Sequence, residues 1–292
     1  MDNQEKKIRT GLVMEGGAMR GMFTAGVIDV MMENGITFDG AIGTSAGAAF
    51  GCNIKSKQPG RVIRYSTTYC RDWRFSSFRS LIKTGDIYGA EFCYKTIPYE
   101  LDLLDFDTFG KNPMEFYAVC TDVETGRPLY HKFTTGMDKD MYYFMASASM
   151  PVVSRIVEVD GKKLLDGGIS DSIPIKFWEH KGYNKNVVIL TQPLDYVKKP
   201  NKMLPLIRHI YRDYPELIED VKVRHVRYNN TTKYIREKEL MGQLFVIRPP
   251  QALNISSIEH DPAELRRVYD LGVATMKEQL DNLKSYLENN AH

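Results

Sequence analysis

Ser45, at the apex of Gly43-Thr44-Ser45-Ala46-Gly47, has the setting of a nucleophile. A short apolar run (Phe38, Ala41, Ile42) precedes it, and a small-residue segment (Ala48, Ala49, Phe50, Cys52, Ile54) follows it. That is strand, sharp turn, helix. A Gly-x-Ser-x-Gly elbow strains the serine backbone and leaves no room for a Cβ on either flank. Its Oγ then projects from the top of a sheet above a helix N-terminus, where free N–H groups and the helix dipole favour negative charge. A helix-capping turn would use the same residues without chemistry, so the serine needs partners.

Glu15-Gly16-Gly17-Ala18-Met19-Arg20-Gly21 is one candidate. It follows the apolar run Gly11-Leu12-Val13-Met14 and leads into Met22–Met32, whose apolar spacing predicts a packed helix stopped by Asn34-Gly35. Adjacent glycines let backbone N–H groups converge on a developing oxyanion. Arg20 can fix the loop or attract an anionic headgroup. A nucleotide-phosphate loop fits less well, because Gly-Lys-Ser/Thr is missing and Ala18 breaks Gly-x-Gly-x-x-Gly.

Asp166-Gly167-Gly168 is the other. Arg155–Val159 and Lys162–Leu165, apolar runs around Asp160-Gly161, predict a hairpin. Asp166 then ends a strand, and two residues without a Cβ leave its carboxylate approachable.

Taken in order, these three segments resemble the patatin-like phospholipase family. So do Ala118–Arg127, with its Thr121-Asp122 pair, then Ala146-Ser147-Ala148-Ser149-Met150-Pro151, and Ser172-Ile173-Pro174-Ile175 after the aspartate. The resemblance covers about residues 8–195, and the remainder is similar to the C-terminal extension of a bacterial subgroup. It implies an α/β fold, three layers with a mainly parallel central sheet, the patatin-like variant of the α/β-hydrolase type. It also implies a serine acyl hydrolase, either a lipid acyl hydrolase or a carboxylesterase. Ser45 and Asp166 would form its dyad, with Gly43, Thr44, Ala46 and Gly47 in the elbow. Gly16, Gly17, Ala18 and Met19 would form the oxyanion hole, with Arg20, Gly21, Gly167 and Gly168 as support. The family more often has glycine where this chain has Ala18. A negative φ there would keep the hole unstrained, whereas a positive φ would strain it.

The chemistry points the same way without the family. A serine hydroxyl needs a base within about 2.6–3.2 Å. Of His131, His180, His209, His225, His260 and His292, none sits in a turn-rich strand-end context like that of Asp166. Asp166 would take the Ser45 proton itself, and partial desolvation would raise its pKa toward that task. Acyl transfer follows, with an acyl-enzyme hydrolysed by water. Two alternatives stay open: a non-catalytic lipid-binding or scaffold protein on the same fold, and a His-triad esterase or thioesterase recruiting His180, His209, His225 or His260.

The elements that must position these residues are legible as strand-like runs at 8–14, 38–43, 115–121, 186–191 and 243–248. Helix-like segments separate most of them, which predicts a mainly parallel sheet covered on both faces. Residues 8–195 are expected to form the catalytic domain, and 196–292 a helix-rich extension with one strand, packed on it. Residues 56–112, rich in aromatics and arginine, read either as helical packing with a solvated basic face or as a lid or acyl-chain wall over Ser45. Residues 198–238 carry an excess of cations interleaved with tyrosines, the pattern of a solvated helix face that can also rest on anionic lipid. Asp261-Pro262-Ala263-Glu264 predicts the start of a long amphipathic helix docked on the domain.

At 292 residues with 43% hydrophobic and 26% charged, the composition is normal for a globular protein and fits an ordinary soluble enzyme. A net charge of +2 gives no sign of nucleic-acid binding. Cys52, Cys70, Cys93 and Cys120 lack metal or disulfide spacing, which predicts a reducing, cytoplasmic setting. The polar Met1–Lys7 segment lacks a signal-peptide core, and no apolar run reaches the length of a membrane span. No cofactor or metal is expected. The expected partners are a lipid or small ester substrate and peripheral contact with an anionic membrane surface, with no expectation of oligomeric state.

Overall fold

The computed structural model describes residues 8–289; the polar Met1–Lys7 segment and His292 lie outside the described residues. Eight strands form one sheet: β1 Thr10–Met14, β2 Gly40–Thr44, β3 Glu115–Asp122, β4 Pro128–Lys132, β5 Val157–Val159, β6 Lys162–Asp166, β7 Lys185–Ile189 and β8 Leu244–Ile247. Its order is β5-β6-β3-β2-β1-β7-β8, with β4 also paired to β3. The pairs from β3 through β8 are parallel, and β4, β5 and β6 are antiparallel. The expected strands and the hairpin are therefore present. Asp160 (φ 51°) and Gly161 (φ 70°) form the hairpin turn, the two left-handed positions that a type I′ turn demands.

Ten α-helices accompany the sheet: α1 Gly21–Glu33, α2 Ala46–Ser56, α3 Arg61–Tyr69, α4 Phe78–Thr84, α5 Phe106–Lys111, α6 Lys139–Ser147, α7 Ile175–His180, α8 Leu204–Ile210, α9 Pro215–Leu240 and α10 Pro262–Glu288. A π-helical segment, Phe92–Leu101, lies between α4 and α5. Strand alternation sorts the core. Leu12 and Met14 pack on one face with α1 and α2 residues, while Val13 and Ile42 pack on the other with Trp178, Tyr228 and Ile235. Both faces are covered, as an essentially parallel sheet requires.

Helix α1 is buried from Gly21 to Met31. It is apolar nearly all round because the sheet lies on one side and α10 on the other. A Cβ on Gly26 would fall 2.2 Å from the Tyr269 carbonyl, and one on Gly272 would fall 2.2 Å from that of Phe23. These two glycines set the helix spacing. The buried Asp29 of α1 accepts from the Tyr269 hydroxyl of α10 (2.8 Å) and from the Gly60 N–H (2.8 Å). Asp261 caps α10 through the Ala263 N–H (3.0 Å). The segment after residue 195 thus adds a strand to the sheet edge, through β8 on β7, and a helix, α10, outside α1. No described helix is long and apolar enough to cross a membrane.

Candidate active site

The register of β3 brings the site together. β4 occupies one edge of β3 from Tyr117 to Thr121. β2 takes the opposite edge up to Val119, which pairs with Thr44. β6 takes that same edge from Cys120, which pairs with Asp166. The ends of β2 and β6 therefore meet, and the residue leaving β2 is Ser45.

Ser45 turns at φ 55°, ψ −124° and caps α2. A Cβ on Gly43 would lie 2.4 Å from the Gly47 carbonyl, and one on Gly47 would lie 2.5 Å from the Met14 carbonyl. A non-glycine residue at positive φ costs on the order of 1–2 kcal/mol. Ser147 holds the strained turn. Its Oγ donates to the Val119 carbonyl (2.7 Å) and accepts the Ser45 N–H (2.9 Å). The same stretch after α6 holds the aspartate, since the Asp166 N–H donates to the Ser149 carbonyl (2.8 Å). Thr121 Oγ1 donates to the Asp166 carbonyl (2.8 Å).

The Asp166 carboxylate is buried, at 1% exposure. Oδ1 accepts the Gly168 N–H (2.6 Å), whereas Oδ2 is buried without a hydrogen bond of good geometry. Burial raises the pKa of Asp166. The Ser45 hydroxyl opposes that rise first, followed by the Arg224 charge and the Gly168 N–H. The serine hydroxyl is thus close enough to act on the carboxylate, and Oδ2 is the carboxylate oxygen without a partner of good geometry.

The glycine loop abuts the nucleophile: a Cβ on Gly16 would lie 3.0 Å from the Ser45 Cβ. Gly17 is extended (φ −177°) and Ala18 is left-handed (φ 49°). Ala18 thus carries the strain that a positive φ brings. The N–H groups of Gly17 and Ala18 find no acceptor among the described residues. Met19 is buried beside them. Glu15, 2% exposed, anchors the loop by accepting from the Thr191 N–H (2.6 Å) and the Tyr228 hydroxyl (2.7 Å).

A cavity of about 510 Å³ opens on Ser45, Asp166 and the loop. Much of its apolar wall comes from the 56–112 region, including Tyr65, Phe75, Ile87, Tyr94 and Leu104. Its polar end carries Arg20, Lys198 and Arg224. Among the described residues no histidine lines it. His131 is bound to Asp140 (2.8 Å), His260 to the Cys70 carbonyl (2.8 Å), and His180, His209 and His225 sit on α7, α8 and α9.

Four site residues carried no role in the sequence reading. Ser147 lay in a recognised motif, but only the fold aims its hydroxyl at Ser45. Glu15 precedes the glycine loop and could have been found there as a buried acid after a strand. Lys198 and Arg224 lay in a run that read as a solvated basic face able to rest on anionic lipid. Arg224 is instead turned into the cavity, because Leu217, Val221 and Tyr228 bury that side of α9.

A model of the family described as patatin-like phospholipase matches residues 12–177. A second, described as a domain of unknown function, DUF6363, matches residues 214–288. The uncharacterized protein YjjU of Escherichia coli strain K12 is 29% identical over 282 residues, which is 90% of this chain and 75% of that protein. Lysophospholipase nte1 of Emericella nidulans is 26% identical over 297 residues, and that of Aspergillus fumigatus is 24% identical over 304. Each alignment takes 94% of this chain and only 18% of the fungal protein. The crystal structure of VipD from Legionella pneumophila aligns with 94% of this chain and 67% of that one, at 12% identity and a TM-score of 0.47. The 12–177 match spans more than half of the sequence and contains the glycine loop, the serine elbow and the aspartate turn: this chain belongs to the patatin-like phospholipase family.

Proposed function

We propose that the protein is a serine acyl hydrolase acting on lipid esters, with Ser45 as nucleophile and Asp166 as its base. The observation that carries this reading is the buried Asp166 Oδ2, which has no hydrogen-bond partner of good geometry beside the Ser45 hydroxyl. A buried acceptor left open is costly, and a proton arriving from Ser45 would satisfy it. Ser45 Oγ attacks the ester carbonyl carbon as its proton passes to Asp166. The carbonyl electrons move onto the oxygen, where the free N–H groups of Gly17 and Ala18, in the loop with Gly16 and Met19, stabilise them. The intermediate collapses, the C–O bond to the alcohol breaks, and Asp166 returns its proton to the leaving oxygen. Water then attacks the acyl-Ser45 ester, losing its proton to Asp166, and the acid is released as Ser45 regains its hydrogen. No step calls on a histidine or a metal. The apolar cavity wall from the 56–112 region suits an acyl chain, and lysophospholipase names among distant relatives support a lipid ester.

Residues 8–195 are the proposed catalytic unit, and 196–292 an extension that completes its cavity through Lys198, Arg224 and Tyr228. One observation favours a second reading, a non-catalytic lipid-binding protein: the strained φ of Ala18 in the loop that would hold the oxyanion. Labelling by a fluorophosphonate probe and turnover of short acyl esters separate the two. The hydrolase reading expects labelling that Ser45→Ala abolishes, and a loss of turnover of at least about 10³-fold in Ser45→Ala and Asp166→Asn. An unlabelled, inactive wild-type chain would leave the binding reading in its place.

A further inference from the structure

Three cations share the polar end of the cavity with no carboxylate in ion-pair contact. Arg20 leaves the glycine loop, Lys198 follows β7, and Arg224 projects from α9. Among the described residues, none of their side chains forms an ion pair within 4.0 Å, and the Nε atoms of Arg20 and Arg224 are buried with no partner. The neighbours of Arg224 on α9 are satisfied: Arg227 pairs with Asp220 (2.6 Å) and Lys222 with Glu219 (3.0 Å). Two carboxylates act on the cavity cations from a distance, short of an ion pair: Glu15, held by Thr191 and Tyr228, on Lys198, and Asp166, whose Oδ1 accepts from Gly168, on Arg224; the three cations still outnumber them. Lys198 Nζ stands 4.4 Å from the centre of the Tyr228 ring. Burial, then the Arg224 charge, brings the Lys198 ammonium down to about 8, with Glu15 opposing and Arg20 assisting.

Like charges held together out of bulk water are unfavourable unless an anion joins them. The stretch that gathers them also meets Ser45 and the apolar wall, so an anion bound there would be part of an ester whose acyl chain lies along that wall. A carboxylate carries one charge. A phosphate carries up to two, with several acceptor oxygens, and guanidinium forks match it.

We propose that Arg20, Lys198 and Arg224 form a phosphate subsite, through which the chain beyond residue 195 selects phosphate-bearing esters. This deepens the acyl-hydrolase reading and rests on it for the word ester. A phosphomonoester headgroup binds best, a zwitterionic phosphodiester less well, and a neutral ester gains nothing from the subsite.

Calorimetry on the full chain carrying Ser45→Ala reads the subsite without turnover. Glycerol 3-phosphate is expected to bind saturably, and adding Lys198→Gln or Arg224→Gln weakens it about tenfold or more, equivalent to at least about 1.4 kcal/mol. Lys202→Gln, on an exposed cation outside the cavity, should leave the affinity in place. Lys198→Gln keeps the test open if the change beside Asp166 unfolds the chain. Absence of binding, or binding untouched by both substitutions, overturns the proposal. Inorganic phosphate binding more tightly than glycerol 3-phosphate assigns the site to free phosphate and overturns the headgroup assignment.

With active enzyme, kcat/KM for an acyl glycerol 3-phosphate is divided by that for the p-nitrophenyl ester of the same acid. Lys198→Gln should lower the ratio about tenfold, chiefly through KM; an unchanged ratio overturns the proposal. Failure of the wild type on both esters removes the hydrolase reading alone, because the calorimetric result does not depend on turnover.

Discussion

Thr44 and Asp166 pair with consecutive residues, Val119 and Cys120, along one edge of β3. β2 ends where β6 ends, running the other way, so the residue after Thr44 faces the last residue of the hairpin. The proposed dyad is thus a property of strand register. A shift of β6 by one position would turn Asp166 to the opposite face of the sheet.

The acidic limb of the pH profile should report Asp166. Its carboxyl is raised by burial and held back by the Ser45 hydroxyl and the Arg224 charge. Once protonated it cannot accept the serine proton, so kcat/KM falls as pH falls through that value. Removing the cation in Arg224→Gln lets the proton bind more tightly. The limb should move to higher pH, measured on a neutral ester. A limb that stays put, or moves down, contradicts the coupling.

Ser147→Ala should slow the chemistry without weakening substrate binding. It leaves the Ser45 N–H and the Val119 carbonyl without their shared partner. We expect stability to fall by about 1–3 kcal/mol, read by urea unfolding, with kcat reduced about tenfold and KM little changed. Ser147→Thr, which keeps a hydroxyl, should recover part of kcat. Equal losses in both variants would point to packing.

Ala18→Gly should relieve the left-handed strain at φ 49°. The gain is about 1 kcal/mol or less, because glycine also loosens the unfolded chain. A rise of about 1–3 °C in Tm is expected, with hydrolysis maintained or improved. A fall in both would mean that the alanine methyl supports the loop.

Gly272→Val should separate α10 from α1, since even a Cβ would lie 2.2 Å from the Phe23 carbonyl. The cost is about 1–3 kcal/mol or more, measured as a lower urea midpoint. Gly242→Ala, a change in a turn with nothing within 4 Å, controls for the loss of a glycine; its own φ of 71° limits its cost to local strain of about 1 kcal/mol.

The sequence by itself determined the local devices. Glycines at 43 and 47 around a serine, the Asp160-Gly161 turn, the Asp261 cap and the apolar runs are each decided by steric and hydrogen-bonding rules acting over a few residues. Those rules singled out Ser45, the glycine loop and Asp166 as candidates, with their roles supplied by the family resemblance, and predicted a parallel sheet with covered faces. Tertiary structure alone decided what distant residues do to one another. Nothing local in Ala146-Ser147-Ala148 tells which N–H the Ser147 hydroxyl will accept, because that depends on where β3 puts Val119 and where β2 ends. Nothing in the cation-rich run of 198–238 tells that Arg224 points inward while Lys222 points out, because helical spacing gives a face but not the surface it meets. Ala18 is the case between. Its identity raised the question of strain, and only the φ imposed by packing the loop against Ser45 and Thr191 answered it.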